Sequence, residues 1–319
     1  MATELPDRCY AVAALQRGIL SRRQALAFGA DANVIGTRLR SERWQLVYRG
    51  VYATFTGELG RDAFMWAALL RAGPAAILSH YSAAEIDGLS DRPVAAIHVT
   101  IPERRRVLDA PGIIVHRSDR IWSARHPSRM PPRTRIEETV LDLADGAMTL
   151  DDAVSWLARA CGRRLTTAHR LTQAMDSRKK MRRRTDLAIA LADVGDGVHS
   201  LLEYRYVRYA ERPHGLPPAV RQAPVIIAGR RRYLDNLYQA YGVGTELDGN
   251  AAHPIEERWR DIHRDNGAAE AGLEILRYSM ADVMERPCQV AAQVAAVLRQ
   301  RGWKPALCRC GPACTLPIP

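Results

Sequence analysis

The stretch 19–54 most constrains what this chain can fold into, because it carries start and stop signals for two short helices and a hairpin. Ser21, followed three residues later by Gln24, is the pattern of a helix capping box. Gly29 is suited to end that helix, and Asp31 is suited to cap the next one. The alternating segments WQLVY and VYAT, joined by an Arg-Gly dipeptide, predict two strands and a tight turn.

This order of helix, turn, helix and hairpin is that of a winged helix-turn-helix, and we assign it to residues 1–56. Val34, Ile35 and Leu39 form an apolar stripe on the second helix, which predicts that this side is buried. The opposite side and the hairpin are cationic and suit the major groove and the phosphates of double-stranded DNA. The candidate DNA-binding residues are Asn33, Thr37, Arg38, Arg40, Arg43 and Arg49. The alternative is a helical scaffold that binds no partner.

The composition agrees with a polyanionic partner. Lys and Arg number 46 against 35 Asp and Glu, a formal net charge of +11, which favours nucleic acid first and an anionic membrane second. Aromatic residues make up only 6% of the chain, so few side chains can stack on unpaired bases. No apolar segment approaches the length of a membrane span and no secretion signal begins the chain, so we expect a cytoplasmic protein without a membrane partner.

The first part of the chain resembles the AbiEi-type antitoxins, which are transcriptional repressors of type IV toxin–antitoxin operons. The resemblance rests on GILSRRQAL and WQLVYRGVYA, and further along on AILSHYSAAEIDGL (76–89) and RIEETVLDLA (135–144). It implies DNA binding and autoregulation, with a possible cognate toxin as a separate chain.

Residues 57–190 predict a middle domain that begins as mixed α/β and ends as helices. His80, His98 and His116 lie in three different predicted elements. A histidine beside a strand is more often a satisfied polar group at the edge than a metal ligand, so the sequence does not favour a metal site here. The segment DSRKKMRRRTD (176–186) is the densest run of charge. It is either a solvated connector between helices or an arm that contacts phosphates without sequence preference.

Residues 191–305 predict a domain in the order helix, three strands, helix, strand and helix. Glu246 and Asp248 lie two positions apart on the third strand, so their side chains point to the same face of the sheet. Asp235 on the preceding strand can approach them. The three acids therefore predict one Mg²⁺ or Mn²⁺ site, because Mg²⁺ binds one or two carboxylates together with a phosphate oxygen. Such an ion activates a water and neutralises charge on the phosphate.

The same order of elements and acids resembles the PD-(D/E)xK nucleases, and more narrowly the very-short-patch-repair endonucleases. The matching residues, over about 199–305, are Glu203, Asp235, Glu246, Asp248, His253, Asp261, Arg264 and Asp265. The catalytic residues predicted are Asp235, Glu246, Asp248, His253 as base or leaving-group acid, and Glu203 to orient a water. The fold class predicted is α/β (α+β overall), with a winged helix-turn-helix, a mixed middle and a nuclease-like sheet flanked by helices.

One departure from the nuclease pattern leaves the activity open. The superfamily's Lys would lie at position 248, where this chain has Asp248. His253, Arg258 or Arg264 can substitute for that cation, or the domain is a degenerate fold that clamps DNA without cutting it. The charged residues 258–265 alternatively form ion pairs on a helix. The predicted function is a DNA-binding protein with a metal-dependent endonuclease domain, or alternatively a non-catalytic, antitoxin-like transcriptional regulator.

The tail, residues 306–319, contains Cys308, Cys310 and Cys314. The spacing Cys-x-Cys-x₃-Cys is not a standard zinc spacing, and a fourth ligand is missing unless Cys288 supplies it. The sequence therefore favours a short tail with reduced thiols over a zinc site at these four cysteines.

Overall fold

The structure, a computed structural model, describes residues 5–91, 93–195, 200–227, 229–248 and 266–316. The chain divides into two compact units, residues 1–146 and 147–319. Both units combine helices with strands, which confirms the predicted mixed α/β class. Within the described ranges, no helix is long and apolar enough to cross a membrane.

The first unit opens with α1 (Asp7–Leu15), β1 (Ile19–Ser21), α2 (Arg22–Ala27), α3 (Ala32–Arg40), β2 (Gln45–Tyr48) and β3 (Val51–Ala53). Its strands pair antiparallel in the order β1-β3-β2. The local signals act as the sequence predicts, since Ser21 and Gln24 form the capping box of α2. Asp31 caps α3, and Gly50 adopts the positive φ that a two-residue hairpin turn requires.

The first unit continues with α4 (Arg61–Ala72), β4 (Ile77–Leu78), α5 (His80–Ile86), β5 (Ile97–Pro102), β6 (Ile113–Ser118), α6 (Ile121–Ala124) and α7 (Ile136–Gly146). In its second sheet β5 is central, antiparallel to β4 and parallel to β6. One core joins both sheets, because Ile19 and Val51 belong to the same buried cluster as Trp66 and Val99. The division between units therefore falls at residue 146, inside the region 57–190 that the sequence treats as one domain.

The second unit contains α8 (Leu150–Gly162), α9 (Ala168–Asp176), α10 (Arg184–Gly195) and α11 (Leu201–Arg205), which continues as a π-helical turn (Tyr206–Glu211). Next come β7 (Val220–Ile227), β8 (Arg230–Tyr238), a 3₁₀ turn (Gln239–Tyr241), β9 (Val243–Asp248), β10 (Glu274–Ser279), α12 (Met280–Glu285) and α13 (Pro287–Gln300). A helical segment also covers residues 266–270. The predicted order of strands and of the last helix is thus present in the described residues.

The sheet of the second unit has the order β10-β9-β8-β7, with β7, β8 and β9 antiparallel and β10 parallel to β9. Its core contains Tyr206 from the π-helical turn, Val243 from β9 and Leu298 from α13. An ion pair between Arg205 of α11 and Asp151 of α8 connects two helices of this unit. The two central strands, which carry the predicted acids, therefore rest on a packed helical layer.

Candidate functional site

The predicted acidic site lies on the two central strands of the second unit. The antiparallel register of β8 with β9 pairs Asn236 with Thr245, so Asp235 and Glu246 are the next residues on the two strands. Asp235 accepts two hydrogen bonds, from Gln222 Nε2 to Oδ1 at 3.0 Å and from the Leu247 N–H to Oδ2 at 2.8 Å. These bonds fix the carboxylate in one orientation.

The acids influence one another electrostatically. Burial raises the pKa of the Asp235 carboxyl, and the nearby charges of Glu246 and Asp248 raise it further against the effect of its hydrogen bonds. Glu246 is neutralised by Arg277, its register partner on β10, whose Nε lies 3.0 Å from Oε2. Arg277 of β10 therefore provides a positive charge beside these acids, although position 248 itself is occupied by Asp248.

The other predicted catalytic residues are distributed differently. Glu203 is buried in the first turn of α11, where its N–H donates to the Ser200 hydroxyl at 3.1 Å. His253 lies outside the described residues, as do Arg258, Asp261, Arg264 and Asp265. In the described part of the chain, two groups bring three or more metal-ligand atoms within 4.8 Å of one another, and the four described acids belong to neither. The Mg²⁺ or Mn²⁺ site stays a prediction.

The predicted DNA-binding residues surround the solvent face of α3. On the opposite face of α3, Ile35 is buried, and Val34 and Leu39 pack against the same cluster. Of the predicted residues, Asn33, Thr37 and Arg40 are exposed on the helix, and Arg43 before β2 and Arg49 in the turn between β2 and β3 are exposed as well. Arg38 is partly buried, and its Nη2 donates to the Tyr10 hydroxyl at 3.5 Å. The face is thus polar and cationic above an apolar base.

The charged segment between α9 and α10 uses several of its arginines within the second unit. Arg183 Nη1 donates to the carbonyl of Ala147 at 2.9 Å, and Arg184 Nη1 donates to the carbonyl of Met175 at 2.8 Å. These bonds agree with a connector between helices. Lys179, Lys180 and Arg182 are exposed, so the phosphate-contacting alternative stays open for them.

A buried polar network behind the second sheet was missed by the sequence analysis. Arg221 of β7 forms a bidentate ion pair with Glu211 and also donates to Asn236. Tyr238 adds its hydroxyl to Glu211 at 3.3 Å, and Tyr206 bonds Tyr238 at 2.7 Å. No local spacing signals this network, because its members come from a helix end and two strands that only the fold brings together.

A histidine triad, formed by His80, His98 and His116, lies in the first unit. The rings of His80 and His116 stack with centroids 3.6 Å apart, and His98 Nδ1 lies 3.0 Å from His116 Nε2. Burial, helped by the neighbouring His98, lowers the pKa of His116 to about 4. Burial also lowers the pKa of His98, and the charge of Arg61 lowers it further. The three histidines lie together because parallel β5 and β6 and the start of α5 converge here. Their interpretation as polar groups at strand edges, and not as metal ligands, stays a prediction.

A second cluster, called the Cys/His group below, consists of His214, Cys288, Cys310 and Cys314 in the second unit. From the sequence, the candidate ligands were Cys288 and the three tail cysteines. In the structure His214, which follows the π-helical turn, takes the fourth place, and Cys308 is exposed outside the group. The backbone N–H groups of Leu316 and then Cys310 lower the pKa of the Cys314 thiol to about 6.

Comparisons with known proteins add little to this geometry. No protein-family model matches the chain, and no curated protein matches it. The chain is similar to a solved structure, the crystal structure of the RV2827C protein from Mycobacterium tuberculosis, with 16% sequence identity and a TM-score of 0.38. The match covers 59% of this chain and 78% of that chain. A likeness this distant carries no argument about fold or activity.

Proposed function

We propose that this chain is a DNA-binding protein whose first 56 residues act as a winged helix-turn-helix, with α3 as the reading helix. The observation that carries the proposal is the exposed cationic face of α3 above its buried apolar side. The order of elements from α1 to β3, with a three-stranded antiparallel sheet in the order β1-β3-β2, supports it. This agrees with the resemblance to AbiEi-type antitoxins.

The dimensions of α3 suit the proposed role. An α-helix with its side chains is about 10–12 Å across, so the nine-residue α3 fits in a major groove about 12 Å wide. Asn33, Thr37 and Arg40 offer the amide, hydroxyl and guanidinium groups that read base edges. Arg43 and Arg49 flank the helix on the hairpin side, where they meet phosphates.

The DNA-binding proposal is tested by fluorescence anisotropy with duplexes selected from a random pool. Arg40→Ala should weaken binding to the selected sequence by about 1–3 kcal/mol, since a base contact is lost. Arg49→Ala should weaken binding to all sequences and lower the salt dependence by about one counterion. Arg104→Ala, which removes the same charge from an exposed position on the β5–β6 connection, is the control. Equal losses for Arg40→Ala and Arg104→Ala contradict a reading role for α3.

A second candidate function is metal-dependent cleavage of DNA in the second unit, and the crowding of Asp235 with Glu246 and Asp248 favours it. The ion pair between Glu246 and Arg277 favours the alternative, a non-catalytic regulator on a degenerate nuclease fold. A bound cation has to draw Glu246 away from Arg277. Without that exchange the charge of Glu246 is already balanced by Arg277, and this carboxylate needs no ion.

Incubation of plasmid DNA with Mg²⁺ or Mn²⁺ decides between the two functions. An active nuclease should nick or linearise the plasmid, and Glu246→Gln should abolish cleavage while leaving duplex binding intact, because the substitution removes charge from the sheet of the second unit only. Glu274→Gln, on the neighbouring strand β10 and paired with Arg301, is the matched control and should cut normally. Cleavage that survives Glu246→Gln contradicts the proposed metal site, and no cleavage with either ion supports the regulator.

A further inference from the structure

We propose that His214, Cys288, Cys310 and Cys314 form a structural zinc site that fastens the C-terminal tail to the second unit. The four ligand atoms lie within 4.8 Å of one another. They come from three separate segments, namely the turn that follows the π-helical segment, the start of α13 and the tail.

The separations match the edges of a zinc tetrahedron. With Zn–S bonds of about 2.3 Å, two thiolates on one tetrahedral zinc lie about 3.8 Å apart. Cys288 Sγ lies 3.6 Å from Cys310 Sγ and 3.9 Å from Cys314 Sγ. Cys314 Sγ lies 3.8 Å from His214 Nε2. The sulfur atoms are too far apart for a disulfide, whose bond is about 2.05 Å long.

The imidazole of His214 is oriented for metal binding. Its Nδ1 lies 2.9 Å from the carbonyl oxygen of Ala210, and a carbonyl only accepts, so Nδ1 carries the proton. The lone pair is then on Nε2, which points at Cys314. A metal-bound histidine usually donates its second N–H to such a backbone oxygen, which fixes the tautomer and the ring orientation. His214 is fully buried, so this orientation is held by its surroundings.

The ligand chemistry selects the metal. Thiolates and imidazole prefer zinc to Mg²⁺, which binds oxygen ligands. Three cysteines and one histidine fill a tetrahedron and leave no open position for water or substrate, which is the pattern of structural rather than catalytic zinc. The site is therefore chemically separate from the acids on β8 and β9.

The consequence of this site is an anchored tail. Cys314 and Leu316 are buried in one small cluster with Cys288 of α13. The Cys308 N–H donates to the carbonyl of His214 at 2.9 Å, and Gly215 beside it adopts a positive φ of 69°. A side chain at Gly215 would meet Cys308 Sγ at 3.1 Å. The zinc ties the tail both to the turn that contains His214 and to the start of α13, which contains Cys288.

The chain offers a matched pair of variants, because Cys308 and Cys310 are both exposed tail cysteines two residues apart. We expect wild-type protein purified without chelator to hold one zinc per chain by elemental analysis. Cys310→Ser should lose most of that zinc or bind it at least tenfold more weakly, and Cys308→Ser should keep it. Equal zinc content in the two variants overturns the proposal, as does loss in Cys308→Ser alone. His98→Asn, in the histidine triad, should leave the content at one.

A spectroscopic readout on the wild-type chain does not depend on how well the variants fold. Zinc-free protein titrated with Co²⁺ should show the intense visible bands and near-ultraviolet sulfur charge-transfer band of tetrahedral cobalt thiolate, saturating at one equivalent. Added Zn²⁺ should then displace the cobalt and shield three thiols from alkylation. A weak octahedral spectrum, or alkylation that zinc leaves unchanged, overturns the site.

Discussion

By distance alone, the histidine triad of the first unit resembles the Cys/His group of the other unit, yet the two clusters differ in what each ligand atom faces. In the triad, two imidazoles face each other at 3.0 Å and a third stacks on one of them at 3.6 Å. In the Cys/His group, three sulfur atoms and a ring nitrogen of His214 lie within 4.8 Å of one another, and Nδ1 of that ring is hydrogen-bonded to a carbonyl oxygen.

This difference separates a packed polar cluster from a metal site. Neutral imidazoles can bond and stack with each other, so the triad is stable as a set of uncharged rings, and the lowered pKa values of His98 and His116 agree with that state. Thiols are weak hydrogen-bond donors and acceptors. Three thiols that converge on one point gain little from each other, whereas their thiolates gain strongly from a shared cation.

The largest expected effect that separates the clusters is that of a strong zinc chelator. Structural zinc contributes about 10–16 kcal/mol of apparent binding free energy in zinc-finger peptides, so its removal should free the tail and loosen the start of α13. Hydrogen exchange should rise in peptides from 206–216 and 287–316 and stay unchanged in peptides from 79–118. A rise confined to 79–118 would show that the triad, and not the Cys/His group, holds the metal.

A smaller effect, in the first unit and not in the second, is expected when the pH is lowered. In the folded chain His116 has its pKa lowered to about 4, whereas the unfolded value is about 6.5. The unfolded state therefore takes up the proton first. The contribution of His116 to the stability of the first unit should be complete above pH 6.5 and be lost as the pH falls from 6.5 to about 4. Because the ring is only partly buried, the loss should be about 1–2 kcal/mol.

Hydrogen exchange of peptides from the first unit, followed against pH, measures this loss. His116→Gln should flatten the dependence in that window, because the titrating ring is gone. If the first unit becomes more stable as the pH is lowered from 6.5 to 4, the triad is not a set of neutral rings.

The smallest effect in the comparison is expected from His80→Asn. His80 adopts a positive φ of 47°, a conformation that Asn tolerates better than most residues. The substitution therefore keeps the backbone and removes the ring stacked on His116, at a cost of about 0.5–1.5 kcal/mol. Chemical denaturation of the first unit measures the loss, and an unchanged zinc content of the whole chain is the control. A loss of zinc in this variant would assign the metal to the triad.

Local signals in the sequence determined the short elements of this protein. The capping box of Ser21 and Gln24, the Asp31 cap and the turn at Gly50 act between residues at most three positions apart, so their geometry does not depend on the rest of the fold. The strands that carry Asp235 and Glu246 were predicted for the same reason, since alternation along a strand is visible in sequence.

Only the tertiary structure decided which distant residues meet. The ligand His214 is 74 residues from Cys288 and 96 residues from Cys310 in the chain, and nothing near it in sequence marks it as a metal ligand. From its spacing to Cys310 and Cys314, Cys308 is the more obvious candidate ligand, yet the path of the tail leaves Cys308 exposed. Likewise, the parallel pairing of β5 with β6 brings the ring of His98 within 3.0 Å of the ring of His116, although the two residues lie 18 positions apart in the chain. The physical reason is the same in each case. Contacts between residues far apart in the chain depend on how whole helices and strands pack, and the local propensities of the sequence do not encode that packing.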